Sequence, residues 1–117
     1  MKELYLLIDD VRIVEGMDIV ARTAIEGRAA LLQHPVTHLV LDNDLGANQD
    51  MEGYDILMWA IQNDCVPGTI SIISANPVAK RRIEAALIHD LGYAYRGGWW
   101  CKHTTPLKVK QTYPTLF

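Results

Sequence analysis

The chain has 117 residues, half of them apolar, enough for one packed core and too few for two. Its formal net charge of -3 offers duplex nucleic acid no electrostatic attraction. No stretch approaches the roughly 18 apolar residues of a membrane span.

Asp9 and Asp10 interrupt the amino terminus too early for a secretory signal, so a cytoplasmic protein is expected. Cys65 and Cys101 have neither zinc-site spacing nor partners for a disulfide framework, and read as reduced thiols. The expectation is one domain over residues 1–117, monomeric or homodimeric, with 93–117 as a C-terminal extension whose course the pattern does not define.

Leu4 to Ile8 is a continuous apolar run that stops at Asp9-Asp10, as a strand buried on both faces would. Val11 to Gly16 leaves room for a turn or two of helix, and Ile19-Val20-Ala21 suits a short second strand. A helix is predicted over Ala24–Gln33, with Ile25, Ala29 and Leu32 as its apolar face and Pro35 beyond its end. Thr37 to Leu41 reads as a third strand ending at Asp42, followed by a polar loop to Gly53.

Tyr54 to Asn63 returns to helical spacing through Ile56, Leu57, Ala60 and Ile61. After the Pro67-Gly68 turn, Thr69 to Ile73 supplies β-branched residues for a fourth strand. Asn76 is placed to cap a helix that Pro77 opens and Gly92 closes, turning Ile83, Leu87 and Ile88 inward. Tyr93-Ala94-Tyr95 suits a short fifth strand, Gly97 to Trp100 a loop, and Leu107 to Tyr113 an edge strand or hairpin arm. Trp99 and Trp100 read first as packing residues over a sheet edge. Alternating strands and helices predict a three-layer α/β/α sandwich around a mostly parallel, flavodoxin-like sheet.

In such a sheet, ligands gather beyond the carboxyl ends of the strands. Asp9 and Asp10 follow the first strand, Asp42 and Asp44 the third, and Ser74 and Asn76 the fourth. Crowded carboxylates repel unless a cation compensates them. Hard oxygen ligands suit Mg²⁺ or Mn²⁺; a basic side chain such as Arg12, Lys80 or Arg96 is the other solution. Capping of turns is a third role for Asp10 and Asp44. Ser74 and Asn76, opening a helix that carries Lys80, have the parts of a phosphate site. His34, His38, His89 and His103 are scattered and lack metal-ligand spacing.

Leu6-Leu7-Ile8-Asp9-Asp10, Leu39-Val40-Leu41-Asp42, Gly53 before a helix and Ile73-Ser74-Ala75 resemble the receiver domains of response regulators. That resemblance implies Asp9 and Asp10 as Mg²⁺ ligands, Asp42 as phosphoacceptor and Ser74 as switch hydroxyl. Asp42-Asn43-Asp44-Leu45-Gly46 together with Asn76-Pro77 resembles more closely the receiver-like family proposed to process cyclic phosphates, over roughly residues 4–92. The histidine often found between that family's two aspartates is Asn43 here. The lysine typical of a receiver's fifth strand has no match, since Arg96 is followed by Gly97.

The resemblance implies metal-assisted processing or binding of a cyclic phosphate or nucleotide. Asp42 and Asp44 would bind metal or activate water, Asp9 and Asp10 would complete the cation site, and Ser74, Asn76 and Lys80 would hold phosphate. The alternative is a non-enzymatic receiver-like inhibitor or binding module, of the kind a phage encodes, directed at a host regulatory protein.

Overall fold

The computed structural model describes residues 2–102; His103 and the strand expected over 107–113 lie outside them. Six strands form one sheet in the order β2-β1-β3-β4-β6-β5. They are β1 (Tyr5–Ile8), β2 (Ile19–Ala21), β3 (His38–Leu41), β4 (Thr69–Ile72), β5 (Ala94–Arg96) and β6 (Trp99–Cys101). β2, β1, β3 and β4 are parallel, whereas β6 runs antiparallel to both β4 and β5. The mostly parallel receiver-like sheet expected from the sequence is therefore present; of the expected three layers, the described residues supply the sheet and one helical layer.

The apolar runs explain the central strands. Leu6, Leu39, Ile70 and Trp100 stand side by side in register, as do Ile8, Leu41 and Ile72. These residues share one face and one core with the inward sides of α1 (Ala24–Gln33), α2 (Gly53–Gln62) and α3 (Pro77–His89). The other face carries Leu7 and Val40, both buried, and the half-buried rings of Tyr5, His38 and Trp99. The Tyr5 and His38 rings stack at 4.2 Å, and Trp99 meets His38 edge-on at 5.5 Å.

Three expectations about the helices need correction. Residues 11–16 form turns rather than helix, because the Asp9 carboxylate takes the N–H groups of Val11 and Arg12, each at 3.0 Å, and Gly16 turns the chain at φ 88°. In α1 the buried residues are Ala24, Gly27, Ala30 and Leu31, whereas Ile25 and Leu32 are 65% and 61% exposed. The small residues let this helix approach the sheet so closely that a Cβ on Gly27 would lie 2.7 Å from Ile8 Cδ1. Ile88 of α3 is likewise exposed, and Ala86 is buried with Ile83 and Leu87 instead.

The stretch read as a loop at 97–100 is a hairpin. Gly97 and Gly98, at φ 58° and 98°, make the two-residue turn that joins β5 to β6. Trp100 enters the core and Trp99 takes the opposite face, as alternation along a strand requires.

Adjacent residues test the corrected face of α1. Leu31→Ala should lower the unfolding free energy by about 3 kcal/mol through the cavity it leaves. Leu32→Ala should change it by less than about 0.5 kcal/mol. Urea denaturation of both variants measures the contrast.

Candidate functional site

Parallel register brings the ends of β1, β3 and β4 level with one another. Ile8 pairs with Leu41 and Leu41 with Ile72, so the next residues, Asp9, Asp42 and Ile73, emerge at one edge. The ladder continues one step, with Asp42 N–H donating to Ile8 O and Ile73 N–H to Leu41 O, both at 3.0 Å. A cleft of about 460 Å³ opens there, lined by residues that include Asp9, Asp10, Arg12, Asp42, Asp44, Ser74 and Asn76. Lys80 stands exposed on α3 and is not part of this lining.

Asp9 is wholly buried. One of its oxygens accepts the Val11 and Arg12 backbone N–H groups, and the other accepts Arg12 Nη1 at 3.1 Å. Burial alone would raise its pKa, but these bonds and the guanidinium charge overcome it and hold the carboxyl below its ordinary value. Asp42 is 6% exposed, and its Oδ1 is buried with no hydrogen-bond partner, 3.7 Å from Arg12 Nη1. Burial and the neighbouring Asp9 charge push its pKa up, more than Arg12 and the local N–H groups offset.

Arg12 is one of the three basic residues weighed as a compensating charge, and it reaches the cluster. Its Nη1 also donates to Ile73 O at 2.6 Å, tying the β1 loop to the end of β4. Arg22, at the end of β2, donates from its own Nη1 to the Asp9 carbonyl at 3.1 Å and the Arg12 carbonyl at 2.6 Å. Sequence reading did not single out Arg22, since nothing in its spacing shows that it reaches back to the β1 loop. Arg96 ends β5, which lies one strand beyond β6 and therefore further from the cluster.

Each of Asp9, Asp10 and Asp42 offers one carboxylate oxygen, and the three lie within 4.8 Å of one another. Three carboxylates against one guanidinium leave the cleft negative, and one buried oxygen is unsatisfied. That donor set suits a divalent cation.

Asp44 is exposed on the cleft wall, with Oδ1 accepting Gly46 N–H at 3.4 Å, while the buried Leu45 anchors the loop behind it. Asn43 turns into the fold, donating to Glu52 Oε1 at 3.2 Å and accepting Tyr54 N–H at 3.0 Å. Gly53 permits that bracket: a Cβ there would lie 2.8 Å from Asn43 Cα and closer still to the Asp42 carbonyl oxygen. Asn76 caps α3 by accepting the Val78 and Ala79 N–H groups, and Ser74 Oγ accepts the Asn76 N–H at 3.1 Å. The first N–H groups of α3 are therefore already satisfied, and the Ser74 hydroxyl proton and the Asn76 carboxamide N–H group remain as donors.

Carboxylates at the ends of neighbouring parallel strands, beside a hydroxyl-bearing turn that opens a helix, define a receiver-like domain. A family model described as "Cyclic-phosphate processing Receiver domain" matches residues 4–89, and the chain belongs to that family. In fold it is similar to the solved "MaeR response regulator bound to beryllium trifluoride", with 16% identity and a TM-score of 0.54 over 81% of this chain and 85% of that one. Comparison with curated proteins found no match. No described helix is long and apolar enough to cross a membrane.

The two buried aspartates should respond oppositely to neutralisation at pH 7. Asp9→Asn should cost about 2 kcal/mol, because it removes the charge of a buried carboxylate from the N–H groups and the part-exposed guanidinium it holds. Asp42→Asn should add about 1 kcal/mol, because it removes a buried charge whose Oδ1 has no hydrogen-bond partner. The depressed Asp9 pKa contributes stability that is present above 3.8 and lost on further acidification. The raised Asp42 pKa works the other way, so the gain from Asp42→Asn should fade as pH falls through it and vanish below 3.8. Metal-free thermal melts across pH read both effects.

Proposed function

We propose that this domain binds and processes a cyclic phosphate, on a nucleotide or an RNA end, with Mg²⁺ or Mn²⁺ held by Asp9, Asp10 and Asp42. The unsatisfied, buried Oδ1 of Asp42 at the floor of the cleft carries this reading, together with membership of the cyclic-phosphate family. A buried carboxylate oxygen without a partner is costly, and a cation supplies what it lacks. When bound, the ion contributes Lewis-acid polarisation of a phosphoryl oxygen and a lowered pKa for water.

The chain's own residues divide the remaining work. Ser74 Oγ–H and the Asn76 carboxamide hold the phosphate oxygens on the β4 side of the cleft. Asp44, exposed and facing the same space, takes the proton as water attacks phosphorus and one ring ester bond opens. The alcohol released on ring opening is protonated from solvent, which reaches this open cleft. Lys80, exposed on α3 outside the cleft lining, adds positive charge that attracts the phosphate.

A second reading is a binding or inhibitor module without turnover, directed at a regulatory protein of a host. The contacts of Arg12 with Asp9 and Asp42 favour it, because they balance part of the site's charge without an ion.

Purified protein should open a 2′,3′-cyclic phosphate end in Mn²⁺ or Mg²⁺ and stop on chelation. Asp42→Asn should lower the rate at least about a hundredfold, the scale on which loss of a preorganised charge contact acts. Equal rates in both proteins would sink the catalytic reading. A melting temperature unmoved by Mg²⁺, with no turnover, supports the second one.

A further inference from the structure

We propose that Arg12 is the resident cation of the cleft, that a divalent ion enters by displacing it, and that the displaced guanidinium then serves the incoming phosphate. The inference rests on the cation-and-phosphate reading of the same site. Arg12 Nη1 lies where three oxygens from three strand ends converge: Asp9 Oδ2 at 3.1 Å, Ile73 O at 2.6 Å and Asp42 Oδ1 at 3.7 Å. Two of those oxygens belong to carboxylates that also form the candidate metal cluster. A metal ion seated among these carboxylates would stand close to the guanidinium that already contacts two of them, and like charges at that range repel, so the two cations compete.

Displacement is mechanically simple. The Arg12 side chain is 39% exposed and already lines the cleft, so rotation carries its head outward without disturbing the core. Its backbone stays in place, because Arg22 Nη1 holds the Arg12 carbonyl and Asp9 secures the Arg12 N–H. A guanidinium released at the cleft mouth presents a planar fork of donors to phosphate oxygens. Metal and anion binding then become coupled through one side chain, each favouring the state in which Arg12 has left the carboxylates.

Mn²⁺ binding, followed by the spectrum of the free ion, tests the competition in the full chain. Arg12→Gln should bind Mn²⁺ alone more than about tenfold tighter than wild type, and Arg12→Lys should stay near wild type. Methyl phosphate should tighten Mn²⁺ binding to the wild type and leave Arg12→Gln unchanged. Unchanged or weaker Mn²⁺ binding by Arg12→Gln, beside measurable binding by wild type, overturns this inference and leaves the metal reading standing. Absence of Mn²⁺ binding in every protein overturns both. Should Arg12→Gln fail to fold, the wild-type Arg12 guanidinium resonances decide: Mg²⁺ should convert them from a hindered to a freely rotating group. Their persistence in the hindered form at saturating Mg²⁺ overturns the proposal.

Discussion

A carboxylate taken out of water costs several kilocalories per mole unless hydrogen bonds and opposite charge are returned to it. Asp9 sits in that position at the end of β1, with no exposed surface. Its demands organise the edge around it. The two backbone N–H groups it takes bend residues 10–12 back over the strand end, which prevents a helix from starting there and points Arg12 at the carboxylate. Through Ile73 that arginine ties β1 to β4, two strands away. Asp42 receives what is left: the charge of Arg12 at a distance, and no hydrogen bond on Oδ1. Satisfying one aspartate fully leaves its neighbour short of a partner inside the cleft.

Much of this edge was legible in the sequence, because apolar runs that stop abruptly at aspartate mark both a buried parallel strand and its functional end. Asp9, Asp10, Asp42, Asp44, Ser74 and Asn76 do line one cleft. Other features depended on information that local pattern does not carry. The inward face of α1 follows small residues rather than large ones, since helix–sheet distance, and not side-chain size, decides which side is buried. The bond from Arg12 to Ile73 spans 61 positions. The bracket made by Asn43 depends on Gly53 allowing α2 to begin against the Asp42 carbonyl.

The β5–β6 hairpin explains a departure from receiver sequences in physical terms. In an all-parallel sheet the strand beside β4 would deliver its carboxyl end to the cleft side, where a basic residue could reach the aspartates. Here that neighbour is β6, which runs the other way and begins at that side with Trp99. The strand that does end there, β5, is displaced outward by one position, and takes Arg96 with it. The positive charge of the site comes instead from the opposite flank of the sheet, three residues beyond Asp9. A reversed strand has changed which side of the cleft supplies the cation.

The stacked rings of Tyr5 and His38, with Trp99 edge-on, lie on the face away from the helices, and Tyr5 and His38 begin the strands whose far ends bear the aspartates. Each of those strands is four residues long, so the sheet is a short plate with an aromatic clasp towards one rim and the carboxylate-lined cleft at the other. Substitution of a clasp ring therefore reaches these strands from the rim opposite the carboxylates, and changes thermal tolerance without touching a cleft residue.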